Sequence, residues 1–523
     1  MPDTAIMVED TCQTVRNPVR TPVRDTPASV VLQIAALGCY AAWLIWVGLH
    51  HEPWFDEMQA WLLARDNSFG TLIGYYARYE GTPGLWHAVL WCAARAGVPF
   101  SSIWMISTAC AFGGAVVTVR CAPFPLALRL GLLATYYFGY QYSVIARGYC
   151  FDILLVPIAA VLFADRVERP LRYALVVGLI ANINAFSFLA AGLLGLDLLV
   201  RLALARRLAD PRAVAALAVV GALGLFAMWT AWQPADNGFM AQVTRMNPVS
   251  SAIIFIANAL FDRVTPWSAS QQNGVDVVAG LVLSFVFLGL VAQLVLAGRD
   301  RALMLVMPVA LVIFSGAVLA SSWHGGVLFV FVLFVVWTQW ANPVGPGLRR
   351  ALIAALALLE IAQGMQTLRS GVQDVAGAYS AGQPAAQGVM SWHAAHPGAR
   401  IAAFGGQAFE TQPWLPYNVF ANYHGGAPHP QFVRWNKDET WHALPRPREW
   451  ADLLTTRPDA VLAAHIWLPK AIQRDPAGQA CRLGYVMGPV YPAAMQWRGI
   501  PINNTLILFE RATSGPCSGL HRA

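Results

Sequence analysis

Charge is what this sequence has least of. Asp, Glu, Lys and Arg make up 12% of its 523 residues, where a soluble globular chain carries roughly 25%. That scarcity, beside 57% hydrophobic residues, excludes an ordinary soluble or disordered protein and points to a polytopic membrane protein. Cysteines are few as well: there are eight, and none has a metal-binding spacing. Six lie in the N-terminal tail or the apolar segments, while Cys481 and Cys517 stand in the C-terminal region and could pair in an oxidising compartment. No internal repeat of roughly 20–50 residues is visible. The net charge of +7 carries no nucleic-acid footprint, because the basic residues fall in short loops between apolar runs, and no nucleic-acid partner is expected.

Long apolar runs are abundant. The first, Ala28 to Leu49, has the length of about 20 residues that spans a bilayer. No small-residue cleavage site follows it, so it is expected to be a retained anchor. Further spans are expected near 101–119, 126–142, 150–164, 171–185, 187–204, 212–232, 275–297, 302–321, 325–341 and 349–367. The segment 84–97 is apolar but too short to cross. Leaving it as a half-buried helix of the outer loop places the basic loops around Arg120/Arg129, Arg166–Arg172, Arg201–Arg212, Arg301 and Arg349/Arg350 on the side of the tail, which carries Arg16, Arg20 and Arg24. By the positive-inside rule that side is cytoplasmic. The expected fold is therefore an α-helical polytopic membrane protein of about eleven spans. A cytoplasmic tail (1–27) leads into a membrane domain (28–370) with an outer loop at 50–100. The boundary near 185–187 is thinly marked, and one long bent helix there would invert everything after it. From about 371 to 523 the chain is richer in Pro and Gly, with short apolar runs (ARIAAFGG, DAVLAAHIWL, NTLILFE) and one helix-like piece (PREWADLLTT). This is expected to be an extracytoplasmic α/β or α+β domain of normal size.

The loop after the first span concentrates chemistry. HEPWFDEMQAWLLARD delivers Asp56 and Glu57 to the membrane surface beside Trp54, and YEGTPGLWH adds Glu80. The plain alternative for Asp56 is a helix N-cap, with Gln59 three residues on. The functional one is a general base in a partly dehydrated cleft, where burial and a nearby cation tune a carboxylate. Glu80 stands where an apolar helix dips into the membrane and needs a partner, for which Arg78 is available. At the second outer turn, YSVIARGYCFD places Arg147 among tyrosines, Tyr149 included, with Asp152 just inside the membrane and able to pair with Arg147. A guanidinium there suits a phosphate, whereas an ordinary snorkelling arginine is the alternative. In SSWHGG, His324 reaches the same face, and its two glycines permit the close approach of a ligand or another backbone. Residues so distant in sequence share one face of one topology, which independent structural ions would not do. Asn182, Asn184, the loop 233–272 (Asp236, Arg245, Asp262, Arg263) and the outer histidines 393, 396, 424 and 429 carry weaker signals. An amphipathic interface helix is expected near Ala252–Phe261.

The pattern PWFDEMQAW after the first span, EGTPGLWH opening a half-buried helix, and ARGY in the second outer loop resembles the GT-C superfamily of integral-membrane glycosyltransferases. That group includes protein O-mannosyltransferases, lipid A aminoarabinose transferase and the catalytic subunit of oligosaccharyltransferase. The likeness covers about 370 residues and is typical of bacterial members. It implies a polyprenyl-phosphate-linked sugar as donor, membrane lipid as surroundings, and inverting transfer to an acceptor glycan, lipid or protein of the cell envelope from the inner membrane. It also implies a catalytic base at Asp56 or Glu57, with Arg147 and His324 binding donor phosphate and Trp54, Glu80, Tyr149 and Asp152 lining the substrate site. Only Asp152 represents the acidic motif some members use for metal, so a divalent cation stays open. No sequon-binding signature argues for N-glycosylation. The rival classes are a lipid or oligosaccharide transporter, which would place its polar groups near the midplane, and a noncatalytic assembly protein.

Overall fold

The structure is a computed structural model, and it describes residues 26–239, 247–262, 274–298, 300–317 and 322–512. Arg16, Arg20, Arg24, Arg245, Arg263, Ser321 and Cys517 lie outside the described residues. Cys481 is disulfide-bonded.

Helix starts follow local chemistry. Prolines open α1 (Pro27–His50), α7 (Pro170–Ile180), α9 (Pro211–Ala231), α10 (Pro248–Ala259) and α14 (Pro346–Ala376), where the missing N–H costs nothing and φ is already helical. Thr26, Asp210 and Asn247 cap three of these with side-chain oxygens. Between α1 and α7 lie α2 (Phe55–Asp66), α3 (Leu85–Arg95), α4 (Trp104–Cys121), α5 (Leu126–Gly131) and α6 (Cys150–Leu162). The remaining helices of the bundle are α8 (Ala185–Leu204), α11 (Gly274–Leu296), α12 (Arg301–Ala317) and α13 (Gly325–Gln339). In α13 every residue but Thr338 is buried, as its all-round apolar surface requires of a central helix.

Among the described residues seven helices are long and apolar enough to cross a membrane, and α7, α10 and α12 are shorter apolar helices. The expected count of eleven spans is therefore not reproduced helix by helix. The run 126–142 is the clearest departure. It breaks into α5, a tight turn over Leu132–Ala134, an extended Thr135 and a wide turn over Tyr137–Gln141. Thr135 turns its hydroxyl back onto Leu132 O, 2.7 Å away, and the aromatics Tyr136, Tyr137, Phe138 and Tyr140 then pack sideways instead of continuing a helix. The thinly marked boundary near 185 is resolved as two helices, because Asn184 caps α8 by accepting the Ser187 N–H at 2.9 Å. The short apolar segment forms α3, only 11 residues long. The helix expected near Ala252–Phe261 is α10, but its last turn is buried rather than lying on a surface.

After α14 and α15 (Gly382–Ala395) comes a four-stranded sheet in the order β1-β2-β6-β3, with β1 (Ile401–Phe404) parallel to β2 (Ala460–Ala464). β6 (Leu506–Arg511) runs antiparallel to both β2 and β3 (Tyr485–Tyr491). Alternation along the strands divides two cores. Phe404, Val461 and Phe509 pack under α16 (Glu449–Thr455), while Ile401, Leu462 and Leu508 join the core of the membrane bundle. The sheet is thus fused to the bundle end.

A hairpin of β4 (Ala494–Trp497) and β5 (Ile500–Asn503) drives that fusion. Its two-residue turn, Arg498–Gly499, has positive φ at both positions (50° and 74°), the geometry of a tight hairpin turn. The turn inserts Arg498, 2% exposed, into the top of the bundle. There the guanidinium donates to Gln366 Oε1, Asn258 O and, at 3.2 Å, Tyr137 OH, while its rim meets the rings of Tyr136 and Trp497. Replacing Arg498 with Met keeps the bulk and strands these acceptors, at about 1–3 kcal/mol each. The expected outcome is a lowered melting temperature in detergent and faster proteolysis of the hairpin than in wild type.

Candidate active site

The loop after the first span is built around Glu57. One of its oxygens accepts the Trp54 N–H at 3.0 Å, closing the first turn of α2 from the third helical position. The same oxygen meets His51 Nε2 at 3.0 Å, and His51 Nδ1 meets Asp374 at 2.9 Å. The other Glu57 oxygen accepts the Ala146 N–H at 2.5 Å, and Tyr140 OH donates to Asp374 at 2.9 Å. Glu57 is fully buried. Burial works against a charged His51, but Asp374 and Glu57 outweigh it and push the imidazole up to about 10. The capping role weighed for Asp56 therefore belongs to Glu57: the N-cap residue is Trp54, and Asp56 is the second residue of the helix.

Asp56 sits about 100° further round α2 and reaches the other side. Its carboxylate pairs with the Arg147 guanidinium, and both side chains keep about a quarter of their surface exposed (26% and 24%). Burial of the pair pushes the Asp56 carboxyl above its ordinary value despite the pull of Arg147. Arg147 lies in an irregular turn between α5 and α6, gripped between the rings of Tyr149 (5.3 Å) and Trp323 (5.5 Å). Tyr149 stacks on Tyr142 at 4.9 Å, and Tyr142 OH donates to Trp323 O at 2.6 Å. His324 packs edge-on to Tyr149 at 5.8 Å and against Phe186 at 5.2 Å. Trp54 meets Trp323 edge-on at 6.0 Å, and its buried indole N–H has no partner among the described residues. The glycines after His324 admit protein rather than ligand. A side chain at Gly326 would collide with Tyr137 and Tyr142, and one at Gly325 with Asn258.

Glu80 lies one step away. Its Oε1 accepts both Gln59 Nε2 (3.0 Å) and Trp435 Nε1 (2.7 Å), while Oε2 has no hydrogen bond among the described residues. Burial pushes this carboxyl up as well, against those two donors. Arg78, the expected partner, turns instead to Trp232 O at 3.0 Å. Asp152 does not pair with Arg147 either: Asn184 (2.8 Å) and Ser187 (2.6 Å) hold it at full burial. Asp56, Arg147, Tyr149, His324 and Trp54 thus converge on Trp323, with Glu80 beside them, whereas Glu57 and Asp152 are anchors behind the wall. Among the described residues no group of three His, Cys, Asp or Glu side chains is disposed to hold a metal ion.

Three contributions come from the sheet domain and had no signal strong enough to single them out. Glu410, pushed up to about 8 by burial, accepts the Phe55 N–H at 3.1 Å. Gln59 exchanges two hydrogen bonds with the Val433 backbone, at 2.8 and 2.7 Å. Trp435 supplies the donor on Glu80. Each faces α2, so the helix bearing Asp56 is held from above as well as from below.

A helical bundle thus carries acids on the loop after its first span, with a small sheet domain over them. Among solved structures, the crystal structure of ArnT from Cupriavidus metallidurans bound to undecaprenyl phosphate is similar over 93% of this chain and 99% of that one, with a TM-score of 0.50 and 13% sequence identity. At that identity the likeness is one of fold. No known protein-family model matches the chain, and no curated protein matches it in sequence.

The His51 relay has a pH signature. Its folded pKa of about 10 lies above the ordinary value of about 6.5, so its stabilisation is complete below the lower value and is lost as pH rises through the upper. The melting temperature in detergent is expected to fall between pH 7 and 10, and His51→Asn to flatten that slope. Glu57→Gln breaks one arm of a buried ionic chain, at about 3–5 kcal/mol, and is expected to lower the yield of folded protein at every pH.

Proposed function

We propose that this protein is a membrane glycosyltransferase that moves a sugar from a polyprenyl-phosphate carrier to a cell-envelope acceptor, lipid, glycan or protein, on the extracytoplasmic side of the inner membrane. The observation that carries this reading is the Asp56–Arg147 pair, a carboxylate and a guanidinium partly open at the junction of bundle and sheet domain. A lipid-borne donor calls for a site at that level, since its phosphate rides at the bilayer edge while its tail stays in hydrocarbon. The undecaprenyl phosphate bound by the fold neighbour supports a carrier of that class.

In this reading Asp56 takes the proton of an acceptor hydroxyl or amine. The acceptor atom forms its bond to the anomeric carbon as the bond from that carbon to the phosphate oxygen breaks, and the electron pair leaves with the polyprenyl phosphate. Displacement from the opposite face inverts the anomeric centre. Arg147 stabilises the departing charge, with the Trp54 N–H and His324 at its flank. Phosphate on Arg147 also weakens its hold on Asp56, so donor binding raises the basicity of the base. Glu57, with both oxygens engaged and no exposure, is the mount rather than the base.

Orientation rests on the basic loops. α6 and α8 start at the site and lead to Arg166 and Arg201, which share one ion cluster with Asp197 and Asp300 at the far end of the bundle. The positive-inside rule makes that end cytoplasmic and the sheet domain extracytoplasmic.

Asp56→Asn is expected to lower transfer by about 10²–10⁴-fold, the usual contribution of a general base. Arg147→Ala is expected to lower it by about 10²–10³-fold, as for lost electrostatic stabilisation, and both variants should insert normally. In wild type, activity falls on acidification through a limb above the ordinary carboxylate range, because Asp56 must be ionised. The test is mass spectrometry of envelope lipids and glycans from a deletion strain carrying each variant. A missing sugar names the substrate, and a normal glycan profile in both variants overturns the reading.

A further inference from the structure

Beside Glu80, the stretch 75–80, the loop 433–436 of the sheet domain and Gln59 and Leu63 of α2 line a hollow of about 260 Å³. Tyr75, Tyr76, Tyr79 and Trp435 form its aromatic walls, and Glu80 and Arg434 supply opposite charges. A second hollow of about 400 Å³ shares Tyr76 and Arg434 with it. Glu80 Oε2 is unspent, since both donors bind Oε1, and the Arg434 side chain, 36% exposed, meets Glu439 through Nη1 at 3.3 Å while its Nε has no partner among the described residues. Tyr75 presents an open ring, 49% exposed, held edge-on to Tyr76 and Tyr79 at 4.9 and 5.4 Å.

The chemistry of these walls selects a ligand. Flat aromatic faces accept the C–H faces of a pyranose, and a carboxylate with a guanidinium accepts and donates to its hydroxyls. A peptide would want a free strand edge, and the walls here are helical and loop segments. A lipid tail would want an unbroken apolar surface, which Glu80 and Arg434 interrupt. A phosphate would meet Glu80. The first hollow, just below the roughly 300–1,000 Å³ of pockets for drug-sized ligands, is of a size for a single ring. Glu80 joins the hollow to the Asp56–Arg147 pair, since Gln59, which donates to it at 3.0 Å and also lines the hollow, stands on α2 three residues after Asp56.

We propose that this hollow is a saccharide subsite that holds the sugar end of the acceptor next to Asp56, which makes the acceptor a glycan or glycolipid. The assignment to the acceptor rests on the glycosyltransferase reading, whereas saccharide binding itself does not. The test is saturation-transfer NMR on the full chain in detergent with the methyl glycosides of glucose, galactose, mannose and N-acetylglucosamine. At least one glycoside is expected to receive saturation, strongest at the protons of its apolar face. Tyr75→Ala and Arg434→Ala should each weaken the signal at least several-fold, Tyr75→Phe should keep it because the ring remains, and Arg147→Ala should keep it because the donor side is separate. Saturation of none of the four, insensitivity to both Tyr75→Ala and Arg434→Ala, or loss in Arg147→Ala (a ring seated on the donor side) would each overturn the proposal. A normal glycan profile in Asp56→Asn and Arg147→Ala would sink the transfer reading while leaving a measured saccharide site standing, so the two failures are distinguishable.

Discussion

The site depends on a buried chain of three groups, Glu57–His51–Asp374, which ties the end of α1 to the start of α2 and to the last turn of α14. Two consecutive helices and a third more than 300 residues away meet at one imidazole. Such a chain is stable only when complete, because a carboxylate left without its cation in this environment is worse than none. Its geometry passes straight to the neighbouring turn. Glu57 holds the Ala146 N–H and Asp56 holds the Arg147 guanidinium, so two adjacent acids grip two adjacent residues of one loop. The guanidinium is positioned by its own partner and by the partner of the residue before it.

Holding α2 from the membrane side alone would leave its outer face free to tilt. The sheet domain removes that freedom. Glu410 takes the Phe55 N–H and Gln59 pairs with Val433 as a strand neighbour would, while Arg498 anchors the hairpin in the bundle top. Catalytic geometry within about half an ångström is typically held this way, by groups that do not touch the substrate. The sheet domain is thus part of the site's framework, and a displacement of it would move Asp56 against Arg147.

Much of this was legible in the sequence. Long apolar runs marked most of the membrane helices, the short run 84–97 declared itself too short, and Asn184 stood where a helix could restart. The three apolar runs of the C-terminal region became β1, β2 and β6 because each is four to six residues long and buried along most of its length. The run 126–142 departs from a span for a reason of shape: it is apolar enough to cross, but its crowded aromatics pack laterally and Thr135 breaks the ladder. The loop acids were visible as a cluster, yet their roles depend on a rotation about α2 that no composition reports. Arg78 and Arg147 were the nearest cations in sequence to Glu80 and Asp152, and in space both face elsewhere. Glu410, Val433 and Trp435 lie more than 350 residues from their partners, a separation at which sequence carries no pairing signal.

The division between Asp56 and Glu57 follows from what each carboxylate still has to offer. Glu57 has spent both oxygens on two backbone N–H groups and an imidazole, and taking up a proton there would break the chain that holds α2. Asp56 has spent its charge on one guanidinium that is itself partly open. An ion pair of that kind is suited to exchange: in the proposed reaction a phosphate brings Arg147 a second anion, and the attraction that opposes the effect of burial on Asp56 is shared out. In the proposed reaction one cation would serve two successive tasks, favouring the ionised carboxylate in the resting site and stabilising the leaving group once a donor is bound. A lysine could supply the charge but not the flat contact with Tyr149 and Trp323, and it is that contact which keeps the guanidinium in place while its partner changes.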